Sequence, residues 1–195
     1  ENADLILDAG DAFHGLPFAT IEQGKSTAEL LRAVGYDAVC PGNHDFNYGA
    51  AALKALGTEE PAVKTEDSEG RADKAQKNFK LLNANVVNAS DGQNYFQPYM
   101  TKTVTRGEEV SVKVGVFGLI SPDVYSSTAP ENVKDVRFDD AVEAAKKTVS
   151  KLKNDEKCDV IIALTHIGMT EKEGMLSSRD IAKAVPEINV IIDGH

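Results

Sequence analysis

The sequence predicts an α/β fold built on a mostly parallel sheet. Two observations lead to this prediction: short, β-branched apolar runs of the kind that form buried strands, and helical patterns that lie between them. Their alternation along the 195 residues favours strand–helix–strand units. A chain of this length is at the upper end of one ordinary domain, and it can bury a core without disulfides or structural metals.

Six apolar runs are predicted as strands: residues 4–9, 37–40, 81–87, 112–119, 160–165 and 190–192. Four segments have helical periodicity: residues 26–34, 49–56, 139–153 and 177–185. Gly35 and Pro186 follow two of them and are typical helix stops. Residues 99–119, with a turn near Arg106 and Gly107, are predicted to form an antiparallel hairpin.

Composition excludes several classes of function. The formal charge of -10, without a stripe of Lys or Arg, argues against a nucleic-acid-binding groove. No apolar run reaches the roughly 18 residues that would span a membrane. Cys40 and Cys158 are too few and too far apart for a disulfide framework or a zinc knuckle. An anionic substrate would therefore need a local positive centre, which a bound metal supplies.

Two features concern the limits of the domain. Residues 57–77 are charged and poor in apolar side chains, so we expect a surface insertion there. A strand pattern begins almost immediately after Glu1, and the chain stops at His195 directly after another strand pattern. We therefore expect the 195 residues to be one domain cut from a longer protein.

Four residues of metal-ligand type follow predicted strands. The carboxyl ends of strands in an open α/β sheet are where ligands bind, because the loops that leave the strands converge there. A carboxylate, an amide oxygen and two imidazoles suit Zn, Mn, Fe or Co better than Ca, which prefers oxygen ligands alone. The four residues are Asp11, Asn43, His166 and His195.

Each of these residues also has a simpler explanation when it is taken alone. Asp11 could cap a turn, Asn43 could serve the tight turn after Pro41, and either histidine could be a buried structural residue. The joint pattern favours a site, because three of the four histidines in the chain lie at or next to strand ends.

The same segments resemble the metallophosphoesterase (calcineurin-like) superfamily. The residues that carry the resemblance occur in order along the chain: Gly10-Asp11, Gly42-Asn43-His44-Asp45, His166 and Gly194-His195. Longer strings are similar to its 5'-nucleotidase and 2',3'-cyclic phosphodiesterase branch, namely GNHDFNYG at 42–49, LLNAN at 81–85 and VGVFGL at 114–119.

The resemblance implies a four-layer α/β/β/α sandwich of two mixed sheets and two divalent cations. It implies hydrolysis of nucleotide phosphoesters by a water that the two metals activate. Asp11 would bridge the metals, and Asn43, His166 and His195 would complete one metal site. His44, with Asp45, would be catalytic, and Asn43 and His44 would also bind the substrate phosphate. The metal could be Mn, Zn, Fe or Co.

The chain departs from the family pattern in three places. An Asp-x-His segment before Gly10 and a further His or Gln after His195 are missing, so we expect at most one cation to bind well and hydrolysis to be weak or absent. Asn47 stands where many members have an Asp that supports the catalytic histidine. An amide can hold that ring but cannot stabilise its charged form, and Asp45 is a candidate replacement. His14 is expected to lie behind the ligands rather than among them.

The branch usually carries a C-terminal specificity domain, which these 195 residues lack, and its members are usually exported. The expected partner is a small phosphoester, in particular a nucleotide. Two other interpretations stay open: hydrolysis of a sugar nucleotide or another ester on the same fold, and a non-catalytic surface-binding module.

Overall fold

The computed structural model describes residues 3–58, 78–107, 110–170 and 174–195. The described strands are β1 (Leu7–Asp8), β2 (Ala38–Val39), β3 (Lys80–Leu81), β4 (Val86–Asn88), β5 (Tyr99–Arg106), β6 (Val110–Ile120), β7 (Val136–Phe138), β8 (Val160–His166) and β9 (Val190–Gly194). The described helices are α1 (Pro17–Thr20), α2 (Lys25–Val34), α3 (Ala50–Leu56), α4 (Val124–Ser127), α5 (Ala141–Asn154) and α6 (Ser178–Ala184). Two 3-10 turns complete the set, at His44–Tyr48 and Pro130–Val133.

Two larger sheets form the centre of the fold. In the first, β1, β2 and β3 are parallel neighbours. In the second, the order is β5-β6-β8-β9; β6, β8 and β9 are parallel, and β5 runs antiparallel to β6. A small antiparallel pair, β4 with β7, forms a third sheet. The predicted parallel sheet and the hairpin are both confirmed, although β1 and β2 are shorter than expected.

The apolar residues divide into three buried layers. The layer between the two larger sheets includes Ala38, Leu82, Val116 and Leu164. A second layer packs α2 and α3 against the outer face of the first sheet. A third packs α5 and α6 against the outer face of the second sheet, through residues such as Leu152. These layers give the α/β/β/α arrangement that the resemblance implies.

The predicted strand at residues 81–87 is wrong as a single element. Lys80–Leu81 pairs in the first sheet, whereas Val86–Asn88 pairs in the small third sheet. Between them, the side-chain Oδ1 of Asn83 accepts hydrogen bonds from the backbone N–H groups of Asn85 (3.0 Å) and Val86 (2.9 Å). This turn uses N–H groups that a continuous strand would have offered to a neighbour, so the chain changes sheets here.

The four predicted helices are confirmed with small shifts of their ends. α2 ends at Gly35, whose backbone has a left-handed φ of 89°. Ser177 and Asp180 form a capping box at the start of α6. The predicted surface insertion at 57–77 lies outside the described residues, apart from Gly57 and Thr58.

Candidate metal centre

Asp11 reaches the site on a tight turn that follows β1. Gly10 and Asp11 both have left-handed backbone angles, with φ of 97° and 60°. The Asp11 N–H donates to Oδ2 of Asp45 at 2.9 Å, and the N–H of His44 donates to Oδ1 of Asp11 at 2.9 Å. These bonds hold the carboxylate so that its other oxygen, Oδ2, lies 3.1 Å from Nε2 of His166. Asp11 is thus tied to two of the other segments that the sequence singled out.

His166 ends β8, and its orientation is fixed from behind. Its Nδ1 lies 2.6 Å from the carbonyl oxygen of Ala9. A carbonyl only accepts hydrogen bonds, so Nδ1 carries the proton and donates. Its Nε2 then faces two oxygen acceptors, Oδ1 of Asn43 at 3.1 Å and Oδ2 of Asp11 at 3.1 Å. Three acceptor atoms from three separate strand ends therefore converge at one point.

Glycines leave the space for this convergence. A Cβ added at Gly10 would lie 2.6 Å from the Cys40 carbonyl oxygen and 2.8 Å from Nδ1 of His166. A Cβ at Gly42 would lie 2.3 Å from Oδ1 of Asp11. A Cβ at Gly194 would lie 2.7 Å from the Ala9 carbonyl oxygen, which is the acceptor for His166. The glycines noted in the motifs thus allow close approach of backbone segments to the ligand side chains.

His195 is brought next to this set by β9. Its ring centroid lies 5.2 Å from that of His166, and its Nδ1 is 3.4 Å from the carbonyl oxygen of Ile167. The approach to a carbonyl favours a proton on Nδ1 and leaves Nε2 as a free acceptor. The side chain is exposed. It stands beside the three converging acceptors rather than in contact with all of them.

Asp193 holds the loops that carry the two histidines, although no sequence pattern selects it beyond its place in the Asp-Gly-His string. Its Oδ1 accepts from the hydroxyl of Thr165 (2.7 Å) and from the N–H groups of Ile167 (3.2 Å) and Gly168 (3.3 Å). These bonds join the end of β9 to the end of β8. Asp193 therefore fixes the spacing of the strand ends that lead to His166 and His195.

His44 is exposed on the 3-10 turn that follows Asn43. Its Nδ1 lies 3.3 Å from Nδ2 of Asn47. The ring of His14 stacks on it, with centroids 5.8 Å apart and 14° between the planes, and His14 also contacts the ring of Tyr48. The structure thus places the ring of His14 against the rings of His44 and Tyr48.

Asp45 points into the fold instead of toward His44. It is 1% exposed, and its carboxylate accepts from the N–H groups of Asp11 (2.9 Å), Phe13 (2.8 Å) and Gly42 (2.8 Å). Burial raises the pKa of this carboxyl to about 7. The three N–H groups favour the ionised form and so oppose this rise, but the effect of burial is larger. These contacts fasten the Asp11 turn to the Asn43 turn. Asn47, not Asp45, is the residue that contacts the His44 ring, so the predicted catalytic role of Asp45 has no support in these contacts.

The electrostatics of Asp11 and His166 are coupled. Burial alone would raise the pKa of the Asp11 carboxyl, but the hydrogen bond and the charge of His166, together with the His44 N–H, lower it overall. Burial alone would lower the pKa of His166, but its hydrogen bonds to Asp11 and Ala9 raise it overall. Each group thus stabilises the charged form of the other when no cation is bound.

The donor set fits a transition metal of borderline character. Ligand atoms around a cation with bonds of about 2.0–2.2 Å lie roughly 3 Å apart, and His166 Nε2 lies 3.1 Å from both Asp11 Oδ2 and Asn43 Oδ1. The described residues contain no cluster of three or more His, Cys, Asp or Glu side chains that could hold a metal ion. The set reaches three ligands because the Asn43 amide oxygen joins one carboxylate and one imidazole.

A profile of calcineurin-like phosphoesterases matches residues 1–195. The chain belongs to the calcineurin-like phosphoesterase family. Members of this family use divalent metals, which agrees with the chemistry of the converging acceptors. The resemblance noted in the sequence is confirmed, and so is the predicted fold class.

Two relatives of this phosphoesterase chain have names that describe enzymes acting on nucleotides. The trifunctional nucleotide phosphoesterase protein YfkN of Bacillus subtilis (strain 168) is 32% identical over 207 residues, which cover 100% of this chain and 14% of that protein. A 5'-nucleotidase of Vibrio cholerae is 29% identical over 197 residues, 98% of this chain and 32% of that protein. This chain thus spans at most about a third of the length of these two relatives.

A solved structure gives the same picture of the fold. The crystal structure of calcineurin-like phosphoesterase YfkN from Bacillus subtilis superposes with a TM-score of 0.78 at 30% identity. The match covers 98% of this chain and 57% of that one.

Within the part of this chain that the structure describes, no helix combines the length and the apolar character needed to cross a bilayer.

Proposed function

We propose that this chain is the catalytic core of a metal-dependent hydrolase of nucleotide phosphoesters. The observation that carries the proposal is that His166 Nε2 lies 3.1 Å from both Asp11 Oδ2 and Asn43 Oδ1, next to a turn that exposes His44. Membership in the calcineurin-like phosphoesterase family supports the reaction type. The names of the nucleotidase relatives support the substrate class.

Asp11, Asn43, His166 and His195 are the residues proposed to hold a cation, with Asp11 shared between two cations in the longer protein. Mn, Zn, Fe and Co all suit this mixture of oxygen and nitrogen ligands. When bound, such cations supply positive charge to the phosphoryl oxygens and lower the pKa of a water molecule. The Ala9 carbonyl keeps the proton of His166 on Nδ1, so Nε2 is free to act as a ligand.

His44 is proposed to contact the substrate. Its backbone is fixed to Asp11 through the N–H bond to Oδ1, and its side chain is exposed next to Asn43. A phosphoryl group bound at the ligand cluster would lie within reach of this ring. Hydrogen bonds from a preorganised donor to the phosphoryl and leaving oxygens are worth most in the transition state. The Asn43 amide N–H groups are a second candidate contact for the phosphate.

Metal analysis tests the first half of the proposal. The purified chain should retain one equivalent of Mn or Zn after dialysis, and the His166→Ala and Asn43→Ala variants should retain far less. Lys146→Ala is a matched surface control, because Lys146 is exposed on α5 and pairs with Glu143 one turn away. Equal metal content in all four proteins would contradict the assignment of the ligands.

Phosphate release tests the second half. The longer protein, with its flanking sequence restored, should release phosphate from nucleotides in a Mn- or Zn-dependent reaction. The His44→Ala variant should be slower by about 100-fold or more, the usual contribution of a positioned catalytic side chain. Wild-type turnover no greater than that of His44→Ala would instead favour a binding module on a phosphoesterase fold. A panel with sugar nucleotides and cyclic nucleotides would define the substrate within the class.

Location and domain content belong to the same proposal. We propose that the longer protein carries a further specificity domain, since the chain spans only 14% and 32% of the two nucleotidase relatives. Export from the cytoplasm is proposed from the resemblance to the nucleotidase branch. Fractionation of cells that express the longer protein would test it, and recovery of all the protein with cytoplasmic markers would contradict it.

A further inference from the structure

A chain of side-chain hydrogen bonds runs from a distant loop to the ring of His44. Nδ2 of Asn132 lies 3.5 Å from the hydroxyl of Thr128. That hydroxyl donates to Oδ1 of Asn47 at 3.1 Å, and Nδ2 of Asn47 lies 3.3 Å from Nδ1 of His44. Thr128 and Asn132 are 81 and 85 residues from Asn47 in sequence. Thr128 directly follows α4, and Asn132 lies within the 3-10 turn at Pro130–Val133.

The direction of these bonds follows from what each group can donate. An amide nitrogen only donates, so Asn132 uses a lone pair of the Thr128 hydroxyl and leaves that hydroxyl free to donate its own proton. Oδ1 of Asn47 is the acceptor for that proton. The amide of Asn47 is thereby turned so that its Nδ2 faces His44.

The ring of His44 must complement this arrangement. Nδ2 of Asn47 has no lone pair to offer, so Nδ1 of His44 has to be the acceptor. In a neutral imidazole the proton is then on Nε2, the outer nitrogen. An Asp at position 47 would have the opposite effect, because a carboxylate only accepts and would draw the proton to Nδ1.

The same loop also holds the backbone of the turn. Nδ2 of Asn132 donates to the carbonyl oxygen of Asn47 at 3.0 Å. The face of the His44 ring is covered by the stacked ring of His14. The ring is thus restrained at its edge by Asn47 and on its face by His14, and the Asn47 restraint depends on two residues outside every motif.

We infer that Thr128 and Asn132 are positioning residues that lock the Asn47 amide and so make Nε2 of His44 the hydrogen-bond donor of the site. The inference rests on the proposed function, because it assigns His44 the task of donating to the phosphoryl or leaving oxygen of a phosphoester. It assigns no proton transfer to His44. The Asn at position 47 departs from the family pattern. In this inference it orients the His44 ring and is itself held by Thr128 and Asn132.

The tautomer of His44 tests the inference without any turnover. Long-range 1H–15N spectra of the 195-residue chain at alkaline pH, assigned with His44→Ala, should show Nδ1 unprotonated and Nε2 protonated. Asn47→Asp should move the proton to Nδ1. Thr128→Val, which removes only the hydroxyl, should give a mixture, and Thr128→Ser should restore the wild-type spectrum. Ser127→Ala is the matched control, because the hydroxyl of Ser127 donates to the Val124 carbonyl oxygen within α4.

Two results would overturn the inference. One is a wild-type spectrum with the proton on Nδ1, and the other is a Thr128→Val spectrum identical to wild type in a folded protein. Urea denaturation of Thr128→Val, Thr128→Ser and Ser127→Ala would show that all three are folded, so a spectral change is not a sign of unfolding.

Turnover by the longer protein separates this inference from the proposed function. Thr128→Val should lower kcat for a nucleotide about tenfold, the effect of losing roughly one oriented hydrogen bond in the transition state. Thr128→Ser and Ser127→Ala should keep kcat within about twofold. A wild-type protein without phosphoesterase activity would refute the proposed function. An active wild type with an equally active Thr128→Val variant would refute the inference alone.

Discussion

Gly10→Ala should weaken metal binding although Gly10 has no side chain that could bind a metal. The added methyl group would crowd His166, one of the proposed ligands. Gly10 has a φ of 97°, and an added Cβ would lie 2.6 Å from both the Cys40 carbonyl oxygen and the Gly42 nitrogen. It would also lie 2.8 Å from Nδ1 of His166. The alanine can fit only if His166 or the Asn43 turn moves, so the Ala9–His166 hydrogen bond should be lengthened or lost.

Gly35→Ala is the matched control for this change. Gly35 has a similar φ of 89°, but an added Cβ there meets nothing within 4 Å. In both variants the alanine has to adopt left-handed backbone angles, which costs about 1–2 kcal/mol. Only Gly10→Ala adds overlap, which costs about 1–3 kcal/mol more in a packed region. Gly10→Ala should therefore be the less stable of the two in urea denaturation by that difference.

Metal affinity is the decisive measurement for this pair. Loss of the hydrogen bond behind a ligating histidine typically reduces affinity by about 10–100-fold. Titration calorimetry with Mn2+ on the 195-residue chain should show that loss for Gly10→Ala and wild-type affinity for Gly35→Ala. If a folded Gly10→Ala bound Mn2+ as tightly as wild type, the Ala9–His166 bond would not be what orients the ligand. An equal loss in Gly35→Ala would show that any destabilisation suffices.

Three further changes test the scaffold. Asn83→Ala should lower the free energy of unfolding by about 2–6 kcal/mol, because it leaves two buried N–H groups without an acceptor, whereas Asn83→Asp keeps an acceptor and should cost less. Ser177→Ala should cost about 1 kcal/mol through loss of the capping box. The hydroxyl and the backbone N–H of Ser177 both donate to Asp180 and lower its pKa, so the stabilisation that Asp180 gives is present above its ordinary pKa and is lost as the pH falls through the lowered value. Ser177→Ala keeps the N–H bond but loses the hydroxyl bond, so acid titration monitored by circular dichroism should show a smaller acid-induced loss of stability in this variant. Burial raises the pKa of both thiols, but Cys40 is fully buried and Cys158 is partly exposed. A thiol reagent followed by peptide mapping should therefore find Cys158 labelled in the native chain and Cys40 labelled only after unfolding.

The strand-end positions of the four proposed ligands could be predicted because each depends on a local pattern. A β-branched apolar run followed by Gly-Asp, Gly-Asn or Gly-His marks both a strand and the residue that leaves its carboxyl end. Parallel pairing then brings these ends to one edge, as β1 with β2 and β8 with β9 do. No long-range information was needed beyond the order of the elements.

The features that the sequence did not predict depend on side chains bonding to distant backbone or to distant side chains. Asn83 divides an apparently continuous strand because its side chain accepts hydrogen bonds from two nearby backbone N–H groups. These bonds compete with pairing to a neighbouring strand, and the pattern of apolar residues carries no information about that competition. Thr128 and Asn132 contact Asn47 across more than 80 residues of chain, and no spacing rule connects them. Asp193 was visible in a motif, but its bonds to the β8 loop were not.

The geometry of one short turn explains why Asn47 and not Asp45 serves His44. His44–Tyr48 is a 3-10 turn, in which residues three apart lie on the same face because there are three residues per turn. His44 and Asn47 are three apart and share the outer face. Asp45 is rotated by about a third of a turn and faces inward, where it is 1% exposed and holds three backbone N–H groups. An acid at 45 therefore cannot take the place of an acid at 47 without a change in the turn, because it is the side chain at 47 that lies next to Nδ1 of His44.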